Sequence, residues 1–284
     1  MREGRVNCLS NEGFHRMAYV EWGVADNPRV LVCVHGLTRC GRDFDFLAQA
    51  LENEYRVVCP DVVGRGLSGW LKTKALYGLP QYCADMAVLI ARLGVESVDW
   101  VGTSMGGLIG MALAAQPDSP IRRLVLNDVG PVITAASLQR IGDYLGNPPR
   151  FATLDEAERY IRTVSASFGR LTDAQWRHLT VHVVRQDADG QYAFRYDPGI
   201  TESYRAAQLA SGDKDIELWP LYDAITCPTL VLRGAQSDLL TPAALLAMQS
   251  RGPRAQAIEI PDVGHAPMLL DGTQVTPVRD FLLQ

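Results

Sequence analysis

The sequence lacks the features that would place it with membrane proteins, nucleic-acid-binding proteins or secreted proteins. No apolar run approaches the roughly 18 residues of a membrane-spanning helix. No block of five basic residues occurs, and the formal net charge is −5. The first residues, Met1 to Ser10, have no apolar stretch of the kind that a secretory signal needs. We therefore expect a cytoplasmic protein with no nucleic-acid or membrane partner.

The spacing that marks metal sites is also missing. The six cysteines are scattered without a CxxC pair, which argues against zinc. His178 and His182 stand four residues apart on a predicted helix, but no HExxH pattern accompanies them, so we expect a solvated helix face. The sequence predicts no metal ion and no nucleotide or redox cofactor.

What the chain does have is an alternation of short apolar strands and amphipathic helices. The predicted strands are Val30 to Val34, Tyr55 to Cys59, Val98 to Val101, Leu124 to Leu126, Thr229 to Leu232 and Ala257 to Ile260. The predicted helices are Asp43 to Leu51, Gln81 to Leu93, Gly106 to Ala115, Thr241 to Gln249 and Thr276 to Leu283. Continuous apolar strands indicate a mostly parallel sheet that is buried on both faces, and hence a doubly wound α/β fold. An alternating pattern over Val6 to Trp22 predicts an antiparallel hairpin at the sheet edge.

The alternation stops in the middle of the chain. Leu154 to Ser165 and Thr172 to Val183 are the clearest helices there, and no further parallel strand is evident. We therefore interpret residues 131–219 as a helical cap, or lid, inserted into a core domain made of residues 1–130 and 220–284.

The strongest chemical motif is Gly102-Thr103-Ser104-Met105-Gly106, which follows a predicted strand and precedes a predicted helix. A serine on such a turn is exposed for nucleophilic attack, and glycines two residues to either side remove side chains that would collide. The amino end of the following helix favours negative charge at this point. Ser104 is therefore the predicted nucleophile.

With this motif the chain resembles the α/β-hydrolase superfamily over nearly its whole length except the cap. The run Ser104 to Gly107 resembles the lidded serine-nucleophile branch, which includes esterases, lactonases, carbon–carbon bond hydrolases and cofactor-free peroxidases. The family has His-Gly after its third strand, and His35-Gly36-Leu37 stands there in this chain. The resemblance implies that the backbone N–H groups of Leu37 and Met105 form an oxyanion hole. His35 itself is interpreted as a structural residue that holds the loop, because a clearer candidate base lies downstream.

The resemblance also implies the order nucleophile, acid, histidine along the chain. His265, just after the last predicted strand, is then the general base. Asp238 is the preferred acid, which would accept the second ring N–H of His265. Asp128, at the end of the sixth strand, is the alternative, because some relatives place their acid there. The glycine-rich stretch Asp61 to Ser68 is interpreted as a tight structural turn.

These residues predict an enzyme that acts on a small-molecule substrate. The predicted reaction is hydrolysis of a small or medium carboxylic ester or lactone through an acyl-enzyme. A carbon–carbon bond hydrolase acting on dienone acids is the nearest alternative, although such relatives often carry asparagine where Thr103 stands. A cofactor-free acyltransferase or perhydrolase also fits the motifs. A ligand-sensing regulator with slow turnover is the alternative from another class, because fold does not fix function. Among the cap arginines from Arg140 to Arg205, one that points inward could hold a substrate carboxylate. The sequence leaves the oligomeric state open.

Overall fold

Strands and helices alternate along the computed structural model, which describes residues 1–145, 148–212 and 214–284. Its strands are β1 (Arg2–Ser10), β2 (Gly13–Trp22), β3 (Val30–Val34), β4 (Arg56–Pro60), β5 (Val98–Thr103), β6 (Ile121–Asn127), β7 (Val132–Ile133), β8 (Val184–Gln186), β9 (Tyr192–Phe194), β10 (Ile216–Glu217), β11 (Thr229–Gly234) and β12 (Gln256–Ile260). Its α-helices are α1 (Asp45–Leu51), α2 (Leu79–Leu93), α3 (Met105–Ala114), α4 (Ala135–Leu145), α5 (Leu154–Val164), α6 (Asp173–Val183), α7 (Ile200–Ser211), α8 (Trp219–Asp223), α9 (Pro242–Met248) and α10 (Gly272–Leu283).

The main sheet contains eight of the described strands in the order β1-β2-β4-β3-β5-β6-β11-β12. The six strands from β4 to β12 in that order run parallel, while β1 and β2 form an antiparallel hairpin at one edge. Successive residues of a strand point to opposite faces. Val30, Val32 and Val34 therefore enter one hydrophobic core, whereas Leu31 and Cys33 enter the other. The predicted doubly wound, mostly parallel sheet and its edge hairpin are both confirmed.

The segment of residues 131–219, which we call the cap segment, adds no strand to the main sheet in its described part. It holds helices α4 to α7 and two small antiparallel sheets, β7 with β10 and β8 with β9. Thr153 caps the start of α5, and Thr172 caps α6 in a reciprocal pair with Gln175. The division into a core domain and a cap domain stays a prediction.

Across the described ranges, no helix combines the length and the apolar character that a membrane crossing requires.

The turn between β5 and α3 has no room for extra atoms. A Cβ built on Gly106 would lie 1.9 Å from the carbonyl oxygen of Val34. A Cβ built on Gly102 would lie 2.2 Å from the carbonyl oxygen of Gly106, which accepts a hydrogen bond from the Trp100 indole at 3.0 Å. The two glycines thus let α3 approach β3 directly, and this contact fixes the turn that carries Ser104.

We expect Gly106→Ala to lower the free energy of unfolding by about 3 kcal/mol or more, because the new methyl group overlaps the Val34 backbone. Gly272→Ala is the matched control, since a Cβ there meets nothing within 4 Å. This control should change stability by less than about 0.5 kcal/mol. Urea denaturation followed by tryptophan fluorescence compares the two variants, and equal stability would contradict the packing argument.

His35 directly follows β3 and anchors the next loop from a fully buried position. Its Nε2 accepts a hydrogen bond from the Val62 N–H at 3.0 Å, so Nδ1 carries the proton and donates to the Gly36 carbonyl at 2.7 Å. Burial is the main reason why the pKa of His35 falls to about 3, and the positive charges of Arg65 and Arg39 lower it further. The ring is therefore neutral at neutral pH, which agrees with the structural role expected for it.

This lowered pKa predicts destabilisation in acid. A histidine whose folded pKa lies below its unfolded value of 6.5 contributes fully above pH 6.5, and the contribution is lost as the pH falls toward the folded pKa. Between pH 7.5 and pH 5, the wild type should lose about 2 kcal/mol more unfolding free energy than His35→Gln, whose amide does not titrate. Urea denaturation at both pH values measures the difference. Equal losses in the two proteins would show that His35 does not control the acid response.

Candidate active site

Ser104 lies at the sharp turn between β5 and α3. Its φ of 52° and ψ of −116° are a strained conformation for a residue with a side chain. The Ser104 N–H donates to the Asn127 carbonyl at 3.0 Å, and the Ser104 carbonyl accepts from the Gly107 N–H at 2.8 Å. The end of β6 and the first turn of α3 therefore hold the strained backbone from both sides. They present Oγ at the amino end of the helix.

His265 contacts Ser104 with one ring nitrogen and Asp128 with the other. Nε2 lies 3.0 Å from Oγ of Ser104, and Nδ1 lies 2.7 Å from Oδ2 of Asp128. The Asp128 side chain is fully buried, whereas that of His265 is 16% exposed. A carboxylate at Nδ1 keeps the proton on that nitrogen and leaves the lone pair of Nε2 directed at Ser104. This arrangement can accept the serine proton and stabilise the imidazolium that forms.

Asp238 does not contact His265, so the expectation that it accepts the second ring N–H is wrong. Its side chain is 54% exposed and pairs with Arg140 of α4, with 2.6 Å between Nε and Oδ2. Asp128 directly follows β6, the neighbour of β5 in the sheet, and is therefore brought beside the nucleophile. Asp238 lies beyond the end of β11 on a turn that directs it to solvent. The alternative residue, Asp128, occupies the position predicted for the acid.

Ser237 is a site residue that sequence reasoning missed. Its Oγ donates to Oδ2 of Asp128 at 2.6 Å, and the Gly234 N–H donates to Oδ1 at 2.8 Å. With the His265 ring, these donors satisfy a carboxylate that is shielded from water. The available signal was the Ser-Asp pair after β11, in which the serine, and not the charged Asp238, points inward.

Arg65, in the loop from Asp61 to Ser68, connects the two residues of the expected oxyanion hole. It is fully buried. Its Nε donates to the Leu37 carbonyl at 2.8 Å, Nη2 lies 3.5 Å from the Met105 sulfur, and Nη1 donates to the Tyr82 hydroxyl at 2.9 Å. The loop is thus more than a tight turn, since its arginine supports both segments beside the nucleophile. Sequence alone does not separate a buried arginine from the many exposed ones.

Two cavities open beside the Ser104–His265 pair, and they differ in charge. The apolar cavity, of about 270 Å³, is bounded by Leu37 and Ser104, and none of the described residues that line it is charged. The cationic cavity, of about 100 Å³, is bounded by His265 and lined by Arg39 and Arg140. Its described lining contains no acidic residue. The two sides of the site therefore suit chemically different parts of a substrate.

The two histidines of α6 are half-buried, so the expected solvated helix face is wrong. His178 Nε2 lies 3.0 Å from the Arg42 carbonyl, and burial, with the nearby charge of Arg42, lowers the pKa of His182 to about 3. Ligand atoms of Asp45, His178 and His182 lie within 4.8 Å of one another. Asp45 already pairs with the Arg42 guanidinium, with which a metal ion would compete. The absence of a metal ion stays a prediction.

Several known proteins similar to this chain are named as hydrolases. A 3-hydroxybutyrate-oligomer hydrolase from Cupriavidus necator is 52% identical over 286 residues, which cover 99% of this chain and 97% of that protein. A 2-(acetamidomethylene)succinate hydrolase from Mesorhizobium japonicum is 25% identical, with 83% and 81% covered. Among solved structures, an α/β hydrolase from Novosphingobium aromaticivorans matches with a TM-score of 0.86 and 35% identity, covering 99% of this chain and 98% of its own.

The family comparison covers most of the chain. A model described as the alpha/beta hydrolase fold matches residues 29–271, which include Ser104, Asp128 and His265. The resemblance noted from the sequence motifs is thereby confirmed, and the chain belongs to the α/β-hydrolase family of enzymes.

Proposed function

We propose that this enzyme hydrolyses the ester bonds of short 3-hydroxy acid oligomers through an acyl-enzyme on Ser104. The hydrogen-bonded series Ser104–His265–Asp128 beside an apolar cavity carries the proposal. The substrate class is supported by the relative at 52% identity, whose name is 3-hydroxybutyrate-oligomer hydrolase. The proposed substrate is therefore a short polyester fragment, which is a narrower class than the small or medium esters and lactones predicted from the sequence. A cytoplasmic location is part of the same proposal.

In the first half-reaction, Ser104 Oγ attacks the ester carbonyl carbon while His265 Nε2 takes the serine proton. Asp128 stabilises the resulting imidazolium through Nδ1. The negative charge on the carbonyl oxygen is held by the N–H groups of Leu37 and Met105. The bond between the acyl carbon and the alcohol oxygen then breaks, and His265 donates the proton it took from Ser104 to the departing alkoxide. The acyl group stays on Ser104, and the alcohol leaves.

In the second half-reaction, a water molecule takes the place of the alcohol. His265 removes a proton from this water as its oxygen attacks the acyl carbon, and the same oxyanion contacts form again. The bond to Oγ breaks, and His265 returns the proton to Ser104. The sum is one water consumed, with one carboxylic acid and one alcohol released.

Hydrolysis of the linear 3-hydroxybutyrate dimer and trimer, followed by chromatography of the released monomer, tests this proposal. We expect many turnovers per molecule in the wild type and a loss of ~10⁴-fold or more in Ser104→Ala. The p-nitrophenyl ester of butyric acid serves as a second substrate. A folded wild type that hydrolyses neither the oligomers nor this ester would refute an ester hydrolase and favour a carbon–carbon hydrolase or a ligand-sensing regulator.

The role of the acid gives a separate prediction. Asp128→Asn should lower kcat by roughly 10³- to 10⁴-fold, because an amide does not stabilise the imidazolium and favours the wrong tautomer of His265. Asp238→Asn is the matched control and should change kcat by no more than a few-fold, since an exposed ion pair contributes about 1 kcal/mol or less. Steady-state kinetics on p-nitrophenyl butyrate compares them. The reverse ranking would return the acid to Asp238.

A further inference from the structure

We infer that the cationic cavity beside His265 is a carboxylate subsite, in which Arg39 and Arg140 bind the free carboxylate of the leaving hydroxy acid. The inference rests on the proposed function, because it concerns the alcohol half of the same ester. Binding of the carboxylate in this cavity places the ester bond nearest the free carboxyl end of an oligomer at Ser104, and the enzyme cuts that bond. Each turnover then releases one hydroxy acid from that end.

The direction of the substrate follows from the proton that the leaving group needs. The departing alkoxide takes a proton from Nε2 of His265 and must lie within hydrogen-bond reach of that nitrogen. His265 borders the cationic cavity, whereas Ser104 borders the apolar cavity. The alcohol half therefore enters the cationic cavity, and the acyl half enters the apolar one.

The charges of the two cavities match the two halves of such an oligomer. When the last ester bond of a linear oligomer is cut, the alcohol fragment carries the free carboxylate and the acyl fragment carries no charge. The described lining of the cationic cavity has two arginines and no acidic side chain, and the apolar cavity has no charged side chain among its described residues. The volumes agree, since about 100 Å³ suits the smaller fragment and about 270 Å³ the larger one.

Arg39 is the better placed of the two arginines. A Cβ built on Gly36 would lie 3.8 Å from Cγ of Arg39 and 3.8 Å from Cβ of Ser104, so the arginine stem and the nucleophile both lie close to Gly36. Its Nε and Nη2 donate to the carboxylate of Asp43 at 2.7 and 2.6 Å. Within the described part of the chain, Nη1 makes no hydrogen bond. The guanidinium is therefore fixed in orientation with donors left for a second carboxylate.

Arg140 lies at the more exposed end of the cavity. Its side chain is 45% exposed, and it pairs with Asp238. Solvent screens a contact of this kind, so it contributes less than one made by a half-buried arginine. Arg140 also belongs to α4 of the cap segment, and so the subsite is completed across the boundary between the cap segment and the loop after β3. We assign the main carboxylate contact to Arg39.

The experiment compares the 3-hydroxybutyrate dimer as its free acid and as its methyl ester, which removes the charge and keeps the scissile bond. Chromatography of the products measures cleavage of the ester bond between the two hydroxybutyrate units, separately from loss of the methyl group. The wild type should show a higher kcat/KM for the free acid, and Arg39→Gln should reduce this preference roughly tenfold or more. Arg42→Gln is the matched control. Arg42 pairs with Asp45 as Arg39 pairs with Asp43, but it lines a different cavity.

The possible outcomes distinguish failure of the carboxylate subsite from failure of the proposed ester hydrolysis. Equal kcat/KM for acid and methyl ester in the wild type, or an equal loss on both in Arg39→Gln, overturns the subsite and leaves the ester hydrolase intact. Wild-type failure on both compounds overturns the proposed function and the subsite with it. If Arg39→Gln does not fold, Arg39→Lys replaces it, and a reduced preference for the acid supports the subsite while an unchanged preference overturns it.

A labelled trimer tests the direction of cleavage independently. The trimer carries deuterium in its carboxyl-terminal unit, and mass spectrometry follows the first products. Labelled monomer with unlabelled dimer supports release from the carboxyl end. Labelled dimer with unlabelled monomer overturns it, because the carboxylate would then lie two units from the cut bond.

Discussion

The buried carboxylate of Asp128 is the charge around which the active site is arranged. Removing a carboxylate from water costs several kcal/mol unless donors replace the lost hydration. Here the Gly234 N–H, the Ser237 hydroxyl and the His265 ring supply those donors. They come from the last residue of β11, the turn after it and the segment after β12, all more than a hundred residues along the chain. The carboxylate therefore holds the end of the sheet together, and it also fixes the ring that faces Ser104.

The sequence carried enough information to predict the sheet and to single out Ser104 and His265, which the structure brings into contact, because each has a local pattern. Apolar strands bounded by turn residues predict the order of the elements, and the glycines around Ser104 follow from packing that leaves no room for a Cβ. The position of His265 after the last strand agrees with the structure. These features depend on residues close together in the sequence, so one chain is enough to find them.

The acid could not be chosen from the sequence, because two aspartates follow buried strands. Asp128 and Asp238 follow the carboxyl ends of the neighbouring strands β6 and β11. Which of them contacts His265 depends on which side chain points inward. In the turn after β11, the side chain that points inward is that of Ser237, and its hydroxyl donates a hydrogen bond to Asp128. The burial of Arg65 could not be predicted from the sequence for a related reason. Its burial results from contacts with Leu37, Tyr82 and Met105, which are distant in sequence.

Arg65 also differs from the other arginines at the site in what it donates to. Arg39 and Arg140 each pair with an aspartate, whereas the acceptors of Arg65 are carbonyl, hydroxyl and thioether groups. Its positive charge is therefore not neutralised by a direct partner among the described residues. Placed against Leu37 and Met105 in a buried setting, such a charge favours negative charge on a nearby substrate oxygen. It would thus support the proposed oxyanion contacts of Leu37 and Met105 both by its position and by its electric field.

The pairing of Arg39 with Asp43 suits an arginine that must release what it binds. The leaving hydroxy acid and the attacking water use the same side of His265, so the first product has to depart before the second half-reaction begins. An unpaired, half-buried guanidinium would hold a carboxylate tightly and delay that departure. Sharing its charge with Asp43 weakens the hold while the two hydrogen bonds keep the side chain oriented. The site can therefore orient a charged leaving group without retaining it.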